Sequence, residues 1–299
     1  MSRINKSPKP TNSEFDWIVD SYEAHTTTGV VDGQDVSAYE NHAENRGRLG
    51  NYVQIWRKAA KVSRLAEELS DVAGVKSEIA LAATKKMVEL KRNMEATLLS
   101  SNAAQADTGS LEYKTAGLGT WIDTTGPTVP RSVPTVYRTP SGSIDTTATA
   151  SLTETIIQDV LTSIYNQVGH SGEFTLLCGT TLRRRFTDMT RFDTSGSTNT
   201  TNRVRNFNQS ASDTTINSTT EVYHGDYGTY SLVTSQFIGG DTVDVDRGYI
   251  INWNKLRYRS LIKPRIEYFP DLGGGKRFMI EAVGGLQVDN PLNFGKFQP

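Results

Sequence analysis

Chemistry in this chain would have to come from a few short runs. Gly169-His170-Ser171-Gly172-Glu173 approximates a nucleophile elbow, the strained strand-to-helix turn that presents a serine hydroxyl to a base. Glu173, however, stands where the closing glycine is needed, and the run follows a predicted helix, so a solvated surface turn is the better reading. Gly273-Gly274-Gly275-Lys276 suggests a phosphate-cradling loop, but that spacing puts Pro270 at the required first glycine and Arg277 at the magnesium-binding hydroxyl. A hairpin tip accounts for it better. Asp241, Asp244 and Asp246 could ligate calcium, yet Lys255 takes the place of the terminal bidentate glutamate. The histidines, His25, His42, His170 and His224, have no metal-ligand spacing with one another or with Cys178. Cys178 sits in the apolar run Phe174-Thr175-Leu176-Leu177-Cys178, where a thiol acts as a small buried hydrophobe. The expectation is a protein with no catalytic site, no metal and no cofactor. A serine hydrolase using Ser171 is the enzyme alternative.

One basic cluster remains. Arg183, Arg184 and Arg185 fall on a predicted short helix, with Arg203 and Arg205 further along. Arginines in such a place ordinarily form a solvated or ion-pairing rim. The functional alternative is contact with acidic residues of a neighbouring subunit, or weak non-specific contact with DNA phosphates.

The whole-chain numbers narrow the partners. With 32 basic and 33 acidic residues, the formal net charge is −1, which gives no global pull toward nucleic acid. A single cysteine excludes an internal disulfide scaffold. No stretch approaches the roughly 20 apolar residues of a membrane span, and Met1-Ser2-Arg3-Ile4-Asn5-Lys6 lacks a secretory apolar core. The expectation is a soluble chain, made in the cytoplasm, without a membrane partner.

The elements that would position any site begin with an aromatic hairpin. In Glu14–Tyr22, Phe15, Trp17 and Val19 fall on one face and Asp16 and Asp20 on the other; the return strand, Asn51–Arg57, carries Tyr52 and Trp56. Between them Ala24–Gly50 is polar and far longer than the usual hairpin loop of about 2 to 5 residues. A lone two-stranded hairpin is marginal in water, so these aromatics are expected to lie on a neighbouring subunit, and losing Trp17 or Trp56 is expected to impair association more than folding. A helix from Val75 to Ser101 follows, about 38 Å long at 1.5 Å per residue. Its stripe is Ile79, Ala83, Met87, Leu90, Met94 and Leu98, with Glu89 and Arg92 spaced as an intrahelical pair. A second helix is predicted over Leu152–Gln167, with Ser151 as N-cap, Glu154 completing a capping box and an apolar face of Ile156, Ile157, Val160, Leu161 and Ile164. A buried strand over Phe174–Cys178 and a short helix from about Thr181 to Met189 come next. Asp193–Thr220, rich in Ser, Thr and Asn, reads as an exposed loop. Glu221–Pro299 reads as mostly β.

Several runs carry a family likeness: Arg48-Leu49-Gly50-Asn51-Tyr52-Val53-Gln54-Ile55, Lys61-Val62-Ser63, Glu89-Leu90-Lys91-Arg92-Asn93-Met94-Glu95-Ala96 and Ala116-Gly117-Leu118-Gly119-Thr120-Trp121-Ile122. Together they resemble the major capsid proteins of tailed bacteriophages, and more narrowly the phage SU-ten-like branch of the Hong Kong 97-type fold. The likeness continues through Val222–Tyr230, similar to the family's strand pair, and Gly248-Tyr249-Ile250-Ile251, similar to its following strand.

The resemblance implies an α+β fold with an extended loop, a spine helix, and peripheral and axial domains. On this chain it implies a short N-terminal arm over residues 1–12 and an extended hairpin loop over 13–62. A peripheral domain follows over 63–145, then an axial domain over 146–246, with a return to the peripheral domain over 247–299. Its implied function is self-assembly into pentamers and hexamers of an icosahedral virion shell around double-stranded DNA. Scaffold, portal and decoration proteins are the further implied partners. Phe15, Trp17, Tyr52, Trp56, Arg183, Arg184 and Arg185 are the expected subunit-contact residues. The shell alternatives are an encapsulin-type compartment and another head or tail protein that builds rings or tubes.

Overall fold

A computed structural model describes residues 3–23, 25–36, 39, 41, 43, 45–69, 77–169, 172–189, 207–209, 214–216, 221–238, 240, 245–271 and 273–299. In chain order the elements are β1 (Asn5–Ser7), β2 (Glu14–Val19), β3 (Gly47–Tyr52), β4 (Gln54–Val62), α1 (Arg64–Glu68), α2 (Glu78–Leu98), α3 (Leu118–Trp121) and β5 (Ile144–Asp145). There follow α4 (Glu154–Val168), β6 (Gly172–Cys178), α5 (Thr180–Met189), β7 (Phe207–Gln209), β8 (Thr214–Ile216), β9 (Val222–Gly225) and β10 (Gly228–Thr234). The last four are β11 (Gly248–Ile251), β12 (Leu256–Phe269), β13 (Lys276–Val288) and β14 (Gly295–Phe297). Among the described residues no helix is long and apolar enough to cross a membrane.

Two sheets organise the molecule. The first has order β1-β12-β13-β4, antiparallel except where β1 runs parallel to β12. Its period-two alternation puts Phe278, Ile280 and Ala282 of β13 and Trp56 of β4 on one face, where Ala83, Leu90 and Met94 of α2 cover them. The helix therefore buries the stripe its spacing predicts, with Ile79 and Met87 at its margins. Ser77 caps it, accepting from the Ala80 amide. Glu89 pairs with Lys86 at 2.7 Å, not with Arg92, whose guanidinium stacks 5.6 Å from the Phe237 ring centroid.

The second sheet has order β5-β14-β11-β6-β10-β9. On one face Leu176, Tyr230, Leu232, Ile250 and Phe297 meet Ile157, Val160, Leu161 and Ile164 of α4, with Leu182 and Phe186 of α5 beside them. Helix α4 starts two residues later than the sequence suggests. Ser151 closes a short 3-10 turn instead, and Thr153 becomes the cap, its hydroxyl accepting from the Ile156 amide. Cys178 is buried here, and burial pushes its thiol up to about 11. The boundary expected at residues 246 and 247 falls inside this sheet, because β11 and β14 pair with it rather than with the first sheet. A third core, built from β2, β3, α3 and the ends of both sheets, joins the two. Asp193–Thr220 lies outside the described residues, apart from the β7 and β8 backbones, which pair as an antiparallel ladder.

Candidate assembly surfaces

The aromatic hairpin is the first surface to build from its residues. Strand β2 alternates as expected, with Phe15, Trp17 and Val19 buried. Its partner, however, is β3, in the register Glu14↔Tyr52 through Val19↔Gly47. The chain then turns at Val53, and β4 leaves the hairpin to pair with β13. Trp56 is therefore a residue of the first sheet, not of the hairpin.

The expectation that these aromatic rings lie on a neighbouring subunit is corrected by their burial within their own chain. Relative exposures are 4% for Phe15, 8% for Trp17 and 5% for Trp56. The Trp17 indole donates to the Val288 carbonyl at 3.0 Å and packs 5.4 Å from Trp121. Phe15 lies against Gly285 of β13, where an added Cβ would come within 2.7 Å of its ring. A glycine in the strand is what lets the ring approach. Trp56 donates to the Thr97 hydroxyl of α2. Tyr52 is half-buried beside Tyr113, at 5.9 Å between centroids. The hairpin has no core alone, but it shares one with α3 and β13, an option that a hairpin considered in isolation does not offer.

The tip differs from the root. At the root Arg48 and Arg131 bind Asp16 at 2.5 and 3.1 Å, and Arg131 also reaches Glu14 at 3.4 Å. The Tyr137 hydroxyl donates to the Asn45 carbonyl, and Arg46 pairs with Asp20 at 3.1 Å. Beyond this neck Tyr22, Val30, Val31, Val36 and Tyr39 are exposed, and the described residues of the segment form no helix or strand.

A second surface lies at the far end of the β12 and β13 hairpin, where Tyr268 and Phe269 are exposed. Asp271 fixes the turn. Its Oδ1 accepts from the amides of Gly273, Gly274 and Gly275 at 2.8 to 3.2 Å, while its Oδ2 pairs with Arg64 at 2.7 Å. These partners hold its carboxyl well below the usual carboxylate range, the Arg64 hydrogen bond first among them. Gly275 adopts φ +113, and a Cβ there would strike the Val62 carbonyl. Gly273-Gly274-Gly275-Lys276 is thus a hairpin turn, as the sequence suggests.

The three arginines of α5 separate in role. Arg185 donates twice to the Leu152 carbonyl, at 2.8 and 3.1 Å, and so ties α5 to the entry of α4. Arg184 is exposed, 3.9 Å from Asp188. Arg183 is partly buried near Cys178. Of the residues weighed for catalytic or metal chemistry, His42, His170, Ser171, Asp241 and Asp244 lie outside the described residues. Sequence reasoning missed Asn51, a buried side chain that donates to the Leu286 carbonyl at 2.7 Å and accepts from the Ala116 amide at 2.9 Å. It also missed Lys296, buried and bound to Asp123 at 3.1 Å. Burial alone would raise the Asp123 carboxyl, but hydrogen bonds from Thr125 and the Lys296 ammonium outweigh it and hold the group low.

The two sheets, with the long helix packed across one of them, form the mixed helix and strand architecture of the Hong Kong 97-type capsid fold. Solved structures share this architecture at low sequence identity. A chain of Gordonia phage Cozz matches with TM-score 0.53 and 16% identity, over 99% of this chain and 84% of that one. A chain of Mycobacterium phage Adephagia matches with TM-score 0.59 and 10% identity, over 100% and 89%. The capsid of Myoviridae phage XM1 matches with TM-score 0.52 and 12% identity, over 99% and 89%. The family itself comes from the sequence: the model of the SU10 major capsid protein family matches residues 1–299, and the chain belongs to that family. It is a major capsid protein of tailed phages, a structural component of the virion shell. No curated protein matches it in sequence.

Proposed function

We propose that copies of this chain close into pentameric and hexameric rings, and that the rings form an icosahedral shell around double-stranded DNA. One observation carries the reading: among the described residues of 20–46, Tyr22, Val30, Val31, Val36 and Tyr39 are exposed, while the root on either side, Phe15, Trp17, Val19 and Leu49, is buried in the subunit's own core. In this reading that segment is the extended loop and lies over a neighbouring copy. Helix α2 is the spine of a peripheral domain built on the four-stranded sheet. The six-stranded sheet with α4 and α5 is the axial domain facing the ring centre, and it includes β11 and β14. Tyr268 and Phe269 supply a second contact, and exposed Arg184 meets acidic groups of the adjacent axial domain. Synthesis in the host cytoplasm, and scaffold, portal and decoration proteins as partners, belong to the same reading.

The test is truncation of residues 24–45 to a short turn. The expected product is a folded subunit with an unchanged thermal transition that fails to sediment as shells. Normal shells in negative-stain micrographs of the truncated protein would overturn the arm.

A further inference from the structure

Beside the hairpin root lies a polar concavity of about 450 Å³, walled by residues 9–12 and floored by β2 and by side chains from β3 and β12. Its charged groups are Lys9, Arg48, Arg131 and Arg259 against Glu14 and Asp16. Two of the cations are spoken for, since Arg48 and Arg131 share Asp16 and Arg131 also reaches Glu14. Arg259 is not. It donates to the Gln287 side-chain carbonyl at 2.5 Å and stacks 5.3 Å from the Phe15 ring centroid. Among the described residues it has no carboxylate within ion-pair distance, and its burial lowers its pKa. Lys9 stands exposed at the rim, likewise without an ion pair among the described residues. The carboxylates of Asp289 and Asp16 act on it only from beyond ion-pair distance, and a guanidinium partly removed from water with no carboxylate in contact is costly, a cost that a visiting carboxylate relieves.

The same chain carries matching groups. Between Asp20 and Arg46, inclusive, stand Asp20, Glu23, Asp32, Asp35, Glu40 and Glu44 against a single arginine, Arg46. Asp32 lies inside, and Asp35 just after, a turn closed by the Gln34 amide on the Val31 carbonyl at 3.1 Å, with Gly33 at φ +79. Both are exposed. Resting on the arm reading above, we propose that Asp32 and Asp35 of one copy dock in the concavity of a neighbouring copy, against its Lys9 and Arg259. DNA phosphate fits less well. Glu14 and Asp16 are already paired with Arg48 and Arg131, so the two cations that remain are matched by two spaced carboxylates and leave no further attraction for the rest of a long polyanion.

The experiment is a charge exchange on the full chain. Asp32→Lys with Asp35→Lys should lower the yield of shells by about tenfold, and so should Lys9→Glu with Arg259→Glu, because like charges then face each other. Combining the four changes should restore shells to within about twofold of the parent. Arg259 packs on Phe15, so Lys9→Glu with Thr11→Glu, both at exposed positions, repeats the test without touching the core. A disulfide gives the contact directly: Asp32→Cys with Thr11→Cys in one chain should yield a ladder of covalent multimers from oxidised shells, absent from either single variant. Cys178 is buried and does not compete.

If truncating residues 24–45 blocks assembly, yet the Lys9 and Thr11 variant assembles normally and no ladder forms, the docking site is wrong and the arm stands. If the truncation is harmless, both fall. If the Lys9 and Arg259 variant assembles normally but retains less DNA, the concavity takes phosphate, and the proposal is overturned.

Discussion

The indoles of Trp17 and Trp56 do different work from what their places in the sequence suggest. Trp17 fills the junction core beside Trp121 and satisfies the Val288 carbonyl; Trp56 sits between the first sheet and α2. Removing either should therefore cost the unassembled subunit about 3 to 5 kcal/mol, the range for a large aromatic taken from a core. Denaturant unfolding of the monomer reads this out. A parent-like unfolding midpoint combined with lost assembly would return the rings to a neighbour's surface. Asp271 gives a second prediction at this scale. Its folded carboxyl is held below its unfolded value, so the stability it adds is present above about pH 4 and is lost as pH falls through the lower, folded value. Asp271→Asn keeps an acceptor for the three glycine amides but removes the charge opposite Arg64. The melting temperatures of parent and variant should differ at pH 7 and converge as pH falls from about 4 toward 2. A gap that persists unchanged at low pH would show that the charge is irrelevant.

At the scale of elements, legibility followed periodicity. The stripe of α2, the alternation of β2, the apolar face of α4 and the buried run ending at Cys178 could all be read because each obeys a single local period. Pairing could not. Whether β2 meets Asn51–Arg57 or Gly47–Tyr52 depends on Val53, where the chain changes partner from β2 to β13. What fixes that exchange is Asn51, whose side chain bonds Leu286 and Ala116, both distant in sequence. The caps were half legible: Ser151 and Thr153 are both plausible by residue type, and the 3-10 turn that decides between them is a matter of packing. The sixth strand of the second sheet was hidden for another reason. β14 has three residues, and it reads as strand only once β11 is beside it. Of the candidate contact residues, the sequence identified the hairpin but not which part of it faces outward. Aromatic content marks burial without saying whose core does the burying.

At the scale of the molecule, three cores in one chain imply a subunit that folds before it assembles. The described tip should then be the least protected part of the free subunit, since among the described residues its backbone over 25–36 joins no sheet or helix. Hydrogen exchange should find residues 25–36 open in the monomer and protected in the shell, with β6, β11 and β13 slow in both. Protection of the tip in the monomer would mean that it already packs on its own subunit.

Strand β3 passes into β4 through one residue, so the arm is continuous with the edge of the first sheet. On the arm reading proposed above, a shell filled under pressure would load its arms in tension, and that tension would arrive first at Asn51, then along β4. There nine consecutive residues, Gln54 to Val62, are registered against β13. Pulled along its length, such a ladder resists with all its hydrogen bonds together; pried from its end, it yields one at a time. The single-residue connection makes the arm a tether spliced into the frame, and the direction of pull then sets how much strain each subunit bears before it yields.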